Sequence, residues 1–250
     1  MTAQTLEEIS GLRASGRVVA EARDAMLAAV APGVATGELD ALAHEILDRH
    51  GAFSAPQFAY DFPGTTCISV NHEAAHGIPS MRRRLREGDI VNVDVSAALN
   101  GYWTDTGAST SVGEVAPIVL ELLEETRAAQ AAAMAVAVAG NRIADIGRAV
   151  EEHVLGTGFS IIGNLCGHGV GRWIHEDPSI PSVAAYGSRS RLQRGQVLAI
   201  EPFLSIGGVE AVEGDDGWTL HTDNGGLAAQ FEHTIIVTDD QPIVLTASAR

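Results

Sequence analysis

Lysine is absent from this sequence: all 16 basic residues are arginines, set against 32 acidic ones for a formal net charge of −16. An acidic excess of that size argues against a general binder of DNA, RNA or anionic membrane, because phosphate would be repelled. Cysteine is scarce as well. Cys67 and Cys166 lie far apart in the chain, so no disulfide framework is implied and a reducing, cytoplasmic setting fits. Long apolar runs are missing too: the richest stretch, 116–140, is broken by Glu121, Glu124, Glu125 and Arg127, which excludes an ordinary membrane span. The opening residues Met1-Thr-Ala-Gln-Thr-Leu-Glu-Glu carry neither the basic nor the apolar region of a secretory signal. No low-complexity linker interrupts the 250 residues, and 46% apolar content supports a substantial core, so one body spanning 1–250 is expected. The one basic cluster, Arg82, Arg83, Arg84 and Arg86, precedes Gly88-Asp89 and reads as a solvated turn rather than a ribosomal RNA patch.

Apolar residues recur at three- and four-residue steps over 6–31, predicting a helix stopped by Pro32-Gly33. A second helix is predicted over 38–50, closed by Gly51, and extended segments follow at 66–70, 89–99 and 102–112. The pattern then restarts. Residues 116–139 read as a helix, Asn141 as an N-cap and 142–155 as a shorter helix, with strands at 159–162, 196–206 and 230–237. Val30-Ala-Pro before a short helix and Gly51-Ala-Phe is faintly similar to Val138-Ala-Gly before a short helix and Gly158-Phe. An α+β fold follows, with halves of about 1–113 and 114–250 sharing a central antiparallel sheet covered by helix pairs.

Asn100-Gly101 between two extended runs is a strong hairpin signal, a two-residue type I′ turn. In that register Ser96 faces Asp105 and Asp94 faces Gly107, which puts Asp94 and Asp105 on one face as diagonal neighbours, roughly 7–8 Å apart at the backbone. Two carboxylates side by side in an apolar strand pair repel unless a proton or cation intervenes. Glu201 and Glu232 are likewise embedded in apolar runs, where an unpaired carboxylate is costly. Between them Cys166-Gly-His168-Gly-Val-Gly-Arg-Trp-Ile-His175 presents two histidines on a glycine-rich backbone. Four carboxylates with an imidazole suit a pair of hard or borderline divalent ions, such as manganese, iron or cobalt, better than structural zinc.

His72-Glu-Ala-Ala-His76 matches the H-E-x-x-H zinc-protease pattern, which needs a helix to align its histidines. A strand-like run enters it and Gly77-Ile-Pro79 ends it, leaving no room for that helix. The match is set aside, and His76 is kept.

Cys67-Ile-Ser-Val-Asn with His76-Gly-Ile-Pro, Gly88-Asp-Ile-Val-Asn-Val-Asp94, Asp105-Thr, Cys166-Gly-His168-Gly-Val-Gly, His175-Glu, Ile200-Glu201-Pro and Gln230-Phe-Glu232-His-Thr-Ile resemble the type I methionine aminopeptidases, in order and over essentially the whole chain. The resemblance implies the pita-bread fold, two divalent metal ions and nascent polypeptide N-termini as substrates. It implies that Asp94 chelates one metal, Asp105 and Glu232 bridge both, and His168 with Glu201 complete the other. It further implies Glu201 as proton acceptor for water attacking the first peptide bond, His175 at the carbonyl oxygen and His76 at the scissile amide or leaving amine. Phe62, Cys67 and Trp218 fall where the family lines its methionine pocket, and Ile174 stands where the family often has phenylalanine. Type II enzymes carry a long insertion where only 31 positions separate Glu201 from Glu232 here. A monomer is expected, with transient ribosome contact as the one macromolecular association.

Two other readings compete. Xaa-Pro aminopeptidases and prolidases share this fold and metal set but usually carry an additional N-terminal domain. A non-catalytic pita-bread binding module typically loses metal ligands, whereas all five positions remain here.

Overall fold

The computed structural model describes residues 1–184 and 190–248. The chain first forms α1 (Leu6–Ala29), α2 (Thr36–Arg49), β1 (Phe53–Ser54), α3 (Ala55–Tyr60), β2 (Cys67–Val70), β3 (Glu73–Ala75), β4 (Ile90–Leu99) and β5 (Tyr102–Ser111). It continues with α4 (Pro117–Ala135), α5 (Ile143–Val154), β6 (Ser160–Ile161), β7 (Cys166–Gly169), β8 (Glu176–Pro181), β9 (Val197–Ile200) and β10 (Phe203–Ser205). It ends with β11 (Ala211–Glu213), β12 (Leu220–Thr222), β13 (Ala228–Gln230), β14 (His233–Ile236) and β15 (Ile243–Val244). A helix pair followed by antiparallel strands therefore occurs twice. No helix among the described residues is long and apolar enough to cross a membrane.

Local chemistry sets the helix ends. Thr5 caps α1 through a reciprocal box with Glu8. α2 begins at Thr36, two residues before the predicted start, because the Glu38 carboxylate takes the Ala35 N–H at 2.7 Å. α5 corrects a prediction in the same way. Its N-cap is Arg142, whose N–H is taken by Asp145 at 2.8 Å, while Asn141 donates its amide to the Val136 carbonyl at 2.9 Å. α4 stops at Ala135 and not near 139, since Ala139 N–H and Gly140 N–H are drawn to the carbonyls of Thr238 and Leu192.

The hairpin has the predicted register, with Leu99 opposite Tyr102, Ser96 opposite Asp105 and Asp94 opposite Gly107. Val91, Val93 and Val95 are buried with Met26, Leu39 and Leu47 beneath α1 and α2. Each such side chain contributes about 1.5–3 kcal/mol by leaving water, and a one-residue slip would exchange all of them for Asn92, Asp94 and Ser96. That difference fixes which face the carboxylates occupy. A second core packs α4 and α5 over Leu198, Ile200, Leu204 and Ile235.

The antiparallel sheet is interrupted where the two halves meet. β4 pairs with β1 and β2 along one edge and with β5 along the other; the second half forms a ladder β15-β14-β9-β7-β8 and a shorter one, β13-β10-β6. After a two-residue turn the ladder pairs alternate, so every second residue of β5 turns its backbone outward. Those residues stitch the halves together: Trp103 N–H donates to Gly171 O at 3.0 Å, and Glu232 N–H donates to Gly107 O at 2.8 Å. Between them, Asp105 N–H donates to the Thr234 hydroxyl at 2.8 Å, and that hydroxyl donates back to Asp105 O at 2.7 Å. The predicted strands 196–206 and 230–237 are each split in two at this seam. Pro202 lacks a donor and separates β9 from β10, and the Phe231–Ala108 bridge separates β13 from β14. Glu201 and Glu232 thus sit at strand breaks, not inside strands as expected.

Candidate metal centre

β4 and β5 turn Asn92, Asp94, Ser96 and Asp105 away from the helices, toward the strands of the second half. β7 brings His168 opposite Ala199 of β9, one residue before Ile200-Glu201. The break after β13 delivers Glu232. One ligand atom each of Asp105, His168 and Glu232 lies within 4.8 Å of the others, and all three residues are buried. Glu201 borders them, its Oε1 3.4 Å from His168 Nε2, and Asp105 Oδ2 is 3.7 Å from the same nitrogen. Asp94, diagonal to Asp105 across the hairpin, is close enough for the charges of Asp105 and Glu201 to act on it. All five residues singled out as ligands in the sequence are therefore neighbours.

Two features of this cluster call for a cation. The Nδ1 of His168 lies 2.9 Å from the carbonyl of Gly169. A carbonyl only accepts, so Nδ1 carries the proton and Nε2 turns a bare lone pair toward the oxygens of Glu201 and Asp105. Lone pairs facing carboxylates repel without a cation or a shared proton between them. Second, Asp105 Oδ1 and Glu232 Oε1 are buried with no hydrogen-bond partner among the described residues. An acceptor left bare in this way costs about 1–3 kcal/mol, more when charged. A divalent ion satisfies both conditions.

The electrostatics agree. Burial first, then the charges of Asp105 and Glu201, hold the Asp94 carboxyl well above the usual carboxylate range. Glu201 is raised well above that range by burial and then by Asp105. Glu232 is raised by burial and then by Asp105, Glu201 and Asp94. Burial lifts Asp105 to about 6. His168 moves the other way, to about 3, through burial and then His175, and so stays neutral as a ligand must. Gln230 Nε2 donates to Glu232 Oε2 at 3.1 Å, and Gln230 Oε1 accepts from Asn92 Nδ2 at 2.8 Å. This amide chain occupies one oxygen of Glu232 and leaves the other free.

The cluster opens into a cleft of about 370 Å³ lined by Phe62, Cys67, His76, Ile174, His175 and Trp218 among others. Glu232 lies behind this wall; Asp94, Asp105, His168 and Glu201 form part of it. Cys67 is the cross-strand partner of Asp94, and burial followed by that carboxylate pushes its thiol well up, so it is a neutral wall group. The rings of Phe62 and Trp218 meet edge to face at 5.2 Å. His76 enters the cleft after β3 with φ 56°, a left-handed backbone uncommon outside glycine that histidine adopts more readily than most side chains. His72, the other histidine of the zinc-protease match, stacks on His221 at 5.1 Å, and the residues between His72 and His76 form the strand β3, not the helix that match would need.

Three residues at this site were not singled out in the sequence. Asn92 shares the face of Asp94 by the period of two, and Gln230 precedes Glu232 by two, so both had a signal in strand alternation. Tyr60, at the end of α3, had none; only the folded chain brings it to the cleft, where its hydroxyl lies 2.5 Å from His175 Nδ1.

A family model described as metallopeptidase family M24 matches residues 10–239. The sequence is 44% identical over 241 residues to methionine aminopeptidase 2 of Bacillus subtilis strain 168, covering 96% of this chain and 97% of that protein. Among solved structures, the methionine aminopeptidase of Thermotoga maritima superposes with a TM-score of 0.95 at 35% identity, covering 99% of this chain and 100% of that one. The prolidase of Pyrococcus furiosus superposes with a TM-score of 0.77 at 23% identity; this chain covers 66% of its length, and the likeness is one of fold alone.

Proposed function

The chain belongs to metallopeptidase family M24 and to its methionine aminopeptidases, and we propose that it releases the initiator methionine of nascent polypeptides whose second residue is small. The observation that carries this reading is the buried Asp105–His168–Glu232 cluster, with its two unpartnered oxygens, at the base of a partly apolar cleft. We assign the whole of 1–250 to one catalytic unit acting as a cytoplasmic monomer.

Two ions would be held by Asp105 and Glu232 together with Asp94 for one and His168 and Glu201 for the other. When bound, such ions act as Lewis acids and lower the pKa of water. The chain supplies the rest. Phe62, Cys67, Ile174 and Trp218 receive the methionine side chain, which aims the first peptide bond at the carboxylates. Glu201 accepts the proton of the attacking water. His175 donates to the carbonyl oxygen as negative charge develops there, and His76 contacts the scissile amide and the departing amine. The exposed edge of the cleft admits the rest of the polypeptide, and contact with the ribosome would be transient.

Hydrolysis of Met-Ala-Ser by protein reconstituted with manganese, iron or cobalt tests this reading, beside Asp105→Ala and a peptide with proline second. Methionine release that disappears in the variant is expected, together with slow cleavage before proline. No release with any of the three ions would overturn the assignment. Equal or faster cleavage before proline would favour the prolidase reading.

A further inference from the structure

We propose that Tyr60 is the positioning residue of His175: its phenolic hydroxyl donates to Nδ1, which fixes the ring proton on Nε2, the nitrogen left for the substrate. The inference rests on the role given to His175 above and adds the group that sets it up.

The two histidines of the 166–175 segment need opposite tautomers. His168 must present a bare Nε2 to a metal, and its Nδ1–H bonded to Gly169 O provides that. His175 must present an N–H to a carbonyl oxygen, so the proton has to sit on the nitrogen facing the substrate. The ring centroids of these histidines are only 4.3 Å apart, yet His168 is buried and His175 is exposed at the rim. What also differs is the partner at Nδ1: an acceptor-only carbonyl for His168, and the Tyr60 hydroxyl at 2.5 Å for His175. A phenol is a better donor than a neutral imidazole, so the Tyr60 O–H points at Nδ1 and leaves Nε2 protonated.

The framework around this contact is built to hold it. Tyr60 ends the short helix α3, which Ser54 caps by accepting the Gln57 N–H and which Asp61 closes in a left-handed conformation. Phe58 of the same helix meets Trp173, two residues before His175, at 5.9 Å between ring centroids. Trp103 of β5 packs under both, 5.9 Å from Phe58 and 4.8 Å from Trp173. The N–H groups of Arg172 and Trp173 both donate to Glu176 Oε1, at 2.6 and 2.7 Å, which curls the loop that carries His175. Helix, strand and loop are thus joined through aromatic side chains on the side of Tyr60, so the hydroxyl–imidazole distance is a property of the scaffold. Tyr60 and Trp173 remain about two-fifths exposed, consistent with a rim that substrate passes.

The test is the histidine tautomer, read by long-range 15N–1H NMR on metal-free protein labelled at histidine, with the His175 signals identified by their loss in His175→Asn. In the unmutated chain His175 is expected to show a protonated Nε2 and a bare Nδ1, and in Tyr60→Phe a mixture of tautomers. The same variant is expected to lose roughly five- to thirty-fold in kcat on Met-Ala-Ser, the scale of one hydrogen bond, with KM changed less than about twofold. A proton on Nδ1 in the unmutated chain, or an unchanged Nε2–H signal in Tyr60→Phe, would overturn the proposal. Because the NMR measurement needs neither metal nor turnover, its failure is distinct from failure of the aminopeptidase reading, which would appear as inactivity of the unmutated chain.

Discussion

A Cβ on Gly107 would lie 2.1 Å from Oε1 of Gln230, so the bare backbone of the one residue is the seat of the other's side chain. Gly107 also stands opposite Asp94 in the hairpin, and its carbonyl takes the Glu232 N–H at 2.8 Å. Replacing it by alanine displaces the Gln230 amide, which releases the Glu232 oxygen that the amide holds. Groups that orient metal ligands from behind are typically worth 10–100-fold in affinity. Gly107→Ala and Gln230→Met are therefore each expected to weaken manganese binding by roughly that factor, measured by calorimetric titration. Unchanged affinity in both would show that the amide chain does not orient Glu232.

Metal binding should release protons at neutral pH. Without metal, Asp105 titrates at about 6, and Asp94, Glu201 and Glu232 lie well above the ordinary range. These groups are raised, so the metal-free cluster holds protons at low pH that an ion must displace. His168 at about 3 has none to give. Affinity should fall as pH drops through 6, on the order of tenfold per pH unit for each proton displaced. Titrations at pH 7 in two buffers of different ionisation enthalpy would give different apparent heats. Identical heats would mean that the carboxylates are already ionised.

The seam between the halves is expected to dominate the stability of the site. Thr234 is fully buried, and its hydroxyl both accepts from Asp105 N–H and donates to Asp105 O. Thr234→Val keeps the shape but leaves a backbone donor and acceptor unpaired, a loss of about 2–4 kcal/mol. For a domain of this size the melting temperature should drop by roughly 5–15 °C in a calorimetric scan. A drop under about 2 °C would mean that water or a local shift satisfies both groups.

The methionine pocket is expected to tolerate more than methionine. Ile174 is 2% exposed and lines the cleft, so a phenyl ring in its place would take volume from the pocket. Ile174→Phe should lower kcat/KM for an ethionyl peptide more than for a methionyl one, by roughly tenfold, the scale of one methylene in an apolar pocket. Trp218→Ala, which removes one wall, should raise KM more than it lowers kcat. Parallel losses on both peptides with Ile174→Phe would show that residue 174 does not limit pocket length.

The hairpin was legible without any coordinates. Asn100-Gly101 fixes the turn, the turn fixes the register, and alternation places Asp94 and Asp105 on the face opposite Val91, Val93 and Val95. Each of these steps is decided within a few residues by backbone geometry and by which side chains leave water. Glu201 and Glu232 stand out as carboxylates in apolar runs and His168 in a glycine-rich segment, the family resemblance implied their roles, and the structure brings all of them to the same point. What only the tertiary structure decided was the seam. Glu232 lies where a strand breaks because β5 offers its outward C=O groups to a segment more than 100 residues away, whereas the break beside Glu201 falls at Pro202, which lacks a donor. No local pattern encodes a bond across that distance. The same holds for Tyr60, a half-exposed residue on a six-residue helix whose meaning depends on a loop that follows 115 positions later. Short-range hydrogen bonds and side-chain period are written in the sequence, whereas the opposite tautomers of His168 and His175 arise only when distant backbone and side chains meet.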